Sequence, residues 1–494
     1  MIILVWKEGE TFKMINKINR WIGFLLVFSI IFSFGVVESF ALERYDNSFP
    51  VRVGIYYAST SKMQYSISGE NLFISDGDSK IYDAYESAAT ISLSNNIYIS
   101  SNSYSSYDEA VLANLSQDQF VYYSNGSYYI ASFSQNASIS NNVGTKVIVK
   151  FQGGKTIALD GSNNIYLQSS ENIVKIENTK YRGKFNFYIK GSNLHAINEV
   201  GMQDYLYGVL PKEMMASWEI EALKAQAVVA KNYTITNYNK HKADGFNVCA
   251  TTHCQVYGGY SAEQEKTNKA VDQTESMVMM YDSKIAEGYF HASSGGRTES
   301  IGNMWNYPLP YMVGVDDPYS LGTPYDNWKV SFTADEIKSA LLKRNVDIGN
   351  IVGVKILKTS ENDRVMELGI LGTKGMYTLE KDNIRSVLGS SKLKNTYFTI
   401  QNSSTSVSSG VSSNNVNISN KNLNNTFKDM DAFLDNKYSN SNQSFVSAGT
   451  YVFNGKGNGH GIGMSQYRAN NMAKKGYNFE EILKYYFKGI TIEN

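Results

Sequence analysis

The chain reads as an α+β protein, a mixed catalytic body carrying a β-rich N-terminal extension. Three observations predict this. From about Val51 to Asn198, runs of β-branched and aromatic residues are broken at near-alternate positions by polar ones and bounded by Gly, Asn and Ser clusters, as strands are. Further on, Ile220, Leu223, Ala227 and Ala230 recur at helical spacing. The 494 residues also exceed what one domain usually holds.

Taken in order, Lys13, Lys17 and Arg20 precede an apolar run from Trp21 to Val37, and Ser39-Phe40-Ala41 offers a small-x-small cleavage site. Residues 1–41 are therefore expected to be a signal peptide, or an uncleaved membrane anchor, since the run is at the short end for a span. Either way the folded part is expected outside the cytoplasm, with membrane contact only through that anchor. The 46 basic and 46 acidic residues balance, so no global field attracts nucleic acid. The 36 Tyr suit a surface that meets sugars, because tyrosine joins a flat apolar face to a polar tip.

Residues 42–178 form the expected β-rich region, with strands such as Val51–Tyr57 and Val147–Phe151; a further run, Phe185–Ile189, follows. One helical pattern, Tyr104–Leu115, stands among them and is followed by strand-like Gln119–Tyr123 and Gly126–Ala131. That order faintly resembles a SPOR-type module, which binds glycan stripped of peptide; an ordinary β-rich scaffold is the alternative. Residues 179–494 form the expected catalytic body. Within it, residues 401–444 are so rich in Asn and Ser that they are expected to be a disordered insertion looping out of one domain.

Four stretches carry chemistry. Tyr205-Leu-Tyr-Gly-Val-Leu-Pro-Lys-Glu213 sets an acidic residue in a turn-like segment ahead of a small-residue-rich helix, with Ser217 as a plausible cap. A partly desolvated carboxylate there holds a proton near neutral pH, as a general acid requires. On that helix Lys224 and Gln226 are either substrate contacts or a solvated stripe. Cys249-Ala-Thr-Thr-His253-Cys254 holds the only two cysteines of the chain. With His241 eight residues upstream, the spacing suits a zinc site; a disulfide is the alternative in an exported protein. Gln255 and Tyr257 follow directly.

The third stretch, Tyr289-Phe-His291-Ala-Ser-Ser-Gly-Gly-Arg-Thr-Glu299, is a hydroxyl- and glycine-rich turn. It lacks the strained elbow of a serine hydrolase. The fourth, Gly455-Lys-Gly-Asn-Gly-His460-Gly-Ile-Gly-Met-Ser465-Gln466-Tyr467, alternates glycines without the spacing of a nucleotide-binding loop. Two short helices are expected after it, the first ending at Gly476 and the second capped by Asn478.

From about Lys180 to the C-terminus these motifs resemble the SpoIID/LytB family of bacterial cell-wall proteins. The resemblance implies that Glu213 is the catalytic glutamate, that Ser293, Ser294 and Gly295 line the active site, and that Gln255, Tyr257, His460, Ser465 and Gln466 face substrate. It implies zinc near the site in some members. Four positions depart from the family pattern: Ile220 where Pro is usual, Lys231-Asn232 where Arg-Thr is common, and Arg468 where a small residue is usual.

The implied activity is that of a peptidoglycan lytic transglycosylase, cleaving the MurNAc–GlcNAc bond of peptide-stripped strands to leave 1,6-anhydro ends, with a role in sporulation. No second carboxylate stands in a recognisable motif beside Glu213, which suits that chemistry better than hydrolysis. A non-enzymatic enhancer of a cell-wall amidase is the rival reading, and a zinc hydrolase a third.

Overall fold

The computed structural model describes residues 49–402 and 449–494, apart from residues 114, 163 and 321. Residues 1–41, expected as signal or anchor, and residues 403–444 of the expected insertion lie outside the described residues. Gln401 and Asn402, expected in that insertion, instead end the strand Phe398–Asn402, which pairs with Thr450–Gly455. Among the described residues no helix is long and apolar enough to cross a membrane. Strands and helices are mixed throughout, broadly as α+β.

The chain divides into two compact units, residues 49–205 with 242–247, and residues 206–241 with 248–493. In the first, the expected strands appear as Pro50–Tyr56, Ile139–Phe151 and Lys184–Lys190. The expected helix is shorter, Tyr107–Leu112, because Ser106 caps it by accepting from the Glu109 N–H. The hairpin of Gln119–Ser124 and Ser127–Ser132 turns on Asn125-Gly126, both at positive φ (48° and 79°). That matches the twist of two-residue hairpins, and asparagine and glycine tolerate it best.

The 26-residue strand Ser79–Tyr104 organises this unit. It pairs with Gln64–Asp76, with Ser127–Ser132 and with Ile139–Phe151. Thr156–Leu159 joins Ile139–Phe151 to Gln119–Ser124, which closes a circuit of five strands. Closure leaves those strands without an open edge, and Ile97, Phe120, Tyr122, Ala131, Ile148 and Ala158 fill a shared core.

In the second unit the helix Ile220–Thr236 is the central post. Apart from Lys224, every residue from Ala222 to Ile235 is buried. Helices Glu265–Asp272, Gln466–Lys474 and Phe479–Tyr486 and the strand Val278–Tyr281 surround it. Gly288 allows a close approach to it: a Cβ there would lie 2.6 Å from the Val229 carbonyl. Asn232 is fully buried yet satisfied, donating to the Met279 and Ala286 carbonyls and accepting from the Met279 N–H. Lys231 and Asn232, two of the three departures on this helix, are thus scaffold: Lys231 donates to the Thr274 and Glu275 carbonyls, and burial pulls its pKa down to about 8.

The expected C-terminal helices appear as Gln466–Lys474 and Phe479–Tyr486, the latter with a capping box between Asn478 and Glu481. The same unit contains a separate core that the sequence reading did not anticipate. Two three-stranded sheets and the helices Ala334–Leu342 and Asn383–Leu388 bury Phe332, Ile337, Val354, Leu368, Ile384 and Phe453.

Candidate functional site

Glu213 is the last residue of the helix Met202–Glu213, so the expected turn is a helical end. The next helix begins at Ile220, and its cap position is Glu219, without a side-chain bond; the expected Ser217 cap is not used. The half-buried Glu213 carboxylate accepts from the Val256 N–H at 2.8 Å and is hydrogen-bonded by Gln466. Burial raises its pKa above the ordinary glutamate value; the Val256 and Gln466 bonds and nearby Lys212 counteract only part of that rise.

The segment that presents Val256 is clamped from both sides. Gln255, fully buried, donates to Thr234 Oγ1 (2.9 Å) and the Ala230 carbonyl (3.3 Å) of the central helix. Tyr257 packs on Gly208 of the preceding helix, where a Cβ would come within 2.5 Å of the ring. Gln226, also fully buried, accepts from Gln466 Nε2 at 3.3 Å. Glu213, Gln226, Gln255, Tyr257 and Gln466 are thereby brought into one neighbourhood. Lys224 is engaged elsewhere, ion-paired to Glu221 at 2.7 Å and lying near the Phe479 ring.

Beside this neighbourhood, the ligand atoms of His241, Cys249, His253 and Cys254 all lie within 4.8 Å of one another. Both cysteines are free thiols, without the alternative disulfide. Zinc bonds of about 2.05 Å to nitrogen and 2.3 Å to sulfur give tetrahedral edges of about 3.3 Å between nitrogens and about 3.6 Å from nitrogen to sulfur. Here His241 Nε2 to His253 Nδ1 is 3.2 Å, and His253 Nδ1 to each sulfur is 3.8 Å. The donor set therefore fits a tetrahedral ion. Tyr233 lies between the two groups: its hydroxyl accepts from Lys240 Nζ at 3.0 Å. Burial, then Cys254, Cys249 and Glu213, push its pKa up.

The serine- and glycine-rich turn is held against the glycine-rich strand. Ser293 and Asn458 exchange backbone hydrogen bonds, and Phe290–His291 pairs in parallel with Met464–Ser465. Ser294 N–H donates to Ser465 Oγ (3.3 Å), and its hydroxyl donates to Asp317 Oδ2 (3.0 Å). Gly295 sits at φ 79°, where a Cβ would strike the Lys456–Gly457 backbone at 2.8 Å, so glycine is required. Ser293, Ser294 and Ser465 are fully buried. Ser465 and Gln466, adjacent in sequence, link this turn to the Glu213 neighbourhood.

His460 Nδ1 accepts from the Ile462 N–H at 3.0 Å, and its ring packs near Trp305 and His291. Burial pulls its pKa down to about 4, so it is neutral at physiological pH. His291 Nδ1 faces the Ile462 carbonyl at 3.0 Å and is likewise held neutral by burial. Neither histidine has a serine hydroxyl among its described hydrogen-bond partners, in keeping with the missing hydrolase elbow.

Three supporting residues were missed by the sequence reading. Arg364, fully buried, donates to the Ser294 (2.7 Å) and Arg297 (2.8 Å) carbonyls and to Asn395 Oδ1. It occupies the space a side chain at Gly461 would need. Asp317 and Arg468, both fully buried, pair at 3.1 Å beneath Ser294. Arg468, noted only as a departure from a small residue, is thus the counter-ion of the carboxylate that orients Ser294. A lone arginine, whether on a helix like Arg468 or just ahead of a strand like Arg364, carries no local signal of such a role.

Residues 190–281 match the family model described as Stage II sporulation protein (SpoIID), a span that holds Glu213 and all four His/Cys donors. Residues 322–413 match a model described as a domain of unknown function (DUF8618), which corresponds to the unanticipated core and contributes Arg364. The chain is 29% identical over 374 residues to the amidase enhancer of Bacillus subtilis (strain 168), covering 66% of this chain and 45% of that protein. It is 26% identical over 312 residues to Stage II sporulation protein D of the same organism, covering 60% of this chain and 76% of the other. The corresponding protein of Bacillus amyloliquefaciens is 25% identical over 316 residues, with the same coverage. The chain thus spans less than half the length of the amidase enhancer. The two model matches divide this part of the chain into a Stage II sporulation protein domain and a domain of unknown function. The chain is thus similar to members of the SpoIID family and carries the match to that family's model over residues 190–281.

Proposed function

We propose that this protein acts outside the cytoplasm on the cell wall as a peptidoglycan lytic transglycosylase, with Glu213 as its acid and base. The observation that carries the reading is a half-buried carboxylate whose burial raises its pKa, aimed by the Val256 N–H. Burial of this kind favours the protonated form that a general acid needs. Glu213 donates that proton to the oxygen joining C1 of N-acetylmuramic acid to N-acetylglucosamine. The C1–O bond breaks, N-acetylglucosamine leaves with a free hydroxyl, and the muramic acetamide oxygen steadies C1. The Glu213 carboxylate then takes the proton of the muramic 6-hydroxyl as O6 bonds to C1, giving the 1,6-anhydro end and regenerating the acid. No water is consumed, so one carboxyl group suffices, and the tethered hydroxyl supplies the proximity.

In this reading the neutral His460 and the buried serines shape the wall of the site, while Gln226 and Gln466 position Glu213. His241, Cys249, His253 and Cys254 would hold zinc with four protein ligands, so the ion would be structural and would tie the Val256-bearing segment to the chain after the central helix.

The test is digestion of purified, peptide-stripped glycan strands, read by mass spectrometry. Wild-type protein is expected to release anhydro ends and Glu213→Gln none, with folding and glycan binding intact; full activity in the variant overturns the assignment. The relative named amidase enhancer favours a second reading, a non-enzymatic wall-binding protein that stimulates an amidase. Wild-type protein that yields no anhydro ends alone but accelerates an added amidase establishes that reading instead.

A further inference from the structure

A pocket of about 750 Å³ lies wholly within the first unit, outside both matched spans. Its walls come from the helix Tyr107–Leu112, the segment after it and the loop that follows Ser127–Ser132. The volume falls in the range of small-ligand sites, roughly 300–1,000 Å³. Its lining holds one acid and one base, Asp118 and Lys155, so it offers no net charge. The remaining polar groups are amides and hydroxyls, among them Gln117, Gln119 and Asn136.

Two of those amides are already oriented. Asn136 Oδ1 accepts from the Ser138 and Ile139 N–H groups (3.0 and 2.9 Å), which leaves its NH2 as a donor. Gln119 Oε1 accepts from the Ser116 N–H at 3.0 Å, with the same result. Phe133, 50% exposed, presents a ring that is braced from beneath by buried Phe120, the centroids 4.6 Å apart. Phe120 holds the ring in place while half of it stays exposed, which makes it a platform. A flat apolar ring beside fixed amide donors, in a pocket without net charge, matches a pyranose: its C–H face stacks on a ring while its hydroxyl and acetamide oxygens accept.

We infer that this pocket is a binding site for an uncharged, N-acetylated sugar chain, separate from Glu213. The inference does not rest on catalysis and survives if Glu213 proves inert. Isothermal titration calorimetry of the full chain carrying Glu213→Gln tests it with chitotetraose as the probe. Removing the ring in Phe133→Ala is expected to weaken binding about tenfold, an aromatic contact's contribution, and Phe133→Trp to restore it. Phe133→Trp keeps an aromatic ring on Phe120, so its thermal unfolding should match the parent and its binding separates the lost contact from lost stability. Cellotetraose, which lacks acetamides, should bind more weakly than chitotetraose. No binding of chitotetraose, equal affinity of Phe133→Ala and parent, or equal affinity for the two tetrasaccharides overturns the inference.

Discussion

Gly208→Ala tests whether the Val256 N–H sets the proton affinity of Glu213. Gly208 is helical, so alanine fits its backbone and gains about 1 kcal/mol of helix propensity. The new Cβ, however, would lie 2.5 Å from Tyr257 Cε2 and 3.0 Å from the Gly259 nitrogen. Carbon contacts settle at about 3.5–4.0 Å, so Tyr257 must retreat by about 1 Å. Val256 precedes it, and a 2.8 Å bond lengthened by that much ceases to be a hydrogen bond. Overpacking costs about 1–3 kcal/mol, which the helix gain largely offsets. Losing a bond to an ionised carboxylate costs its charged form about 1.5–3 kcal/mol, or about 1–2 pKa units.

The bond favours the ionised form, so its loss raises the Glu213 pKa further. The acid then stays protonated to higher pH, and the alkaline limb of glycan cleavage moves up by about 1–2 pH units. Misplacing the carboxyl by about 1 Å should also slow turnover on the order of a hundredfold. Anhydro-end release measured from pH 4 to 10, alongside thermal unfolding, reads both. Unfolding at a lower temperature with an unchanged pH profile refutes the reasoning.

Glu213→Gln should have a pH-dependent effect on stability. A carboxyl with a raised folded pKa stabilises fully below its unfolded pKa of about 4.3 and loses that contribution as pH climbs through the folded value. The variant should therefore melt with wild type near pH 4 and above it by pH 8; a gap that shrinks with pH contradicts the burial argument. Arg364→Met should cost about 3–5 kcal/mol in urea unfolding, since it strips the Ser294 and Arg297 carbonyls of a buried charged donor; a loss below 1 kcal/mol shows that the turn does not lean on it. Protein purified with zinc should carry about one ion per chain by elemental analysis and melt lower after chelation; Cys249→Ser retaining a full complement of metal rules out the four-residue site.

Local pattern made much of this molecule legible. Asn478 announces its helix, and the spacing of Cys249, His253 and Cys254 a donor cluster, because each signal lies within a few residues. Glu213 was found through its motif, but not its helical end, since Pro211 two residues earlier reads as a turn. The strand Ser79–Tyr104 escaped because Ser and Asn interrupt it, and only its partners on both sides hold it extended. Arg364 and Asp317 escaped for a stronger reason. Their partners Ser294 and Arg468 are 70 and 151 positions away in sequence, so nothing nearby marks them.

Glu213 meets Gln466, Ser294 meets Ser465, and His291 faces Ile462, pairings that each join the middle of the chain to its final stretch. A polypeptide emerging from a translocation channel amino-end first would present the glutamate long before its companions arrive. Truncation before Gly455 would leave that acid without the glutamine and the paired strand that frame it. Completion of the last stretch thus finishes the surroundings of Glu213, which no shorter amino-terminal piece of the chain can supply by itself.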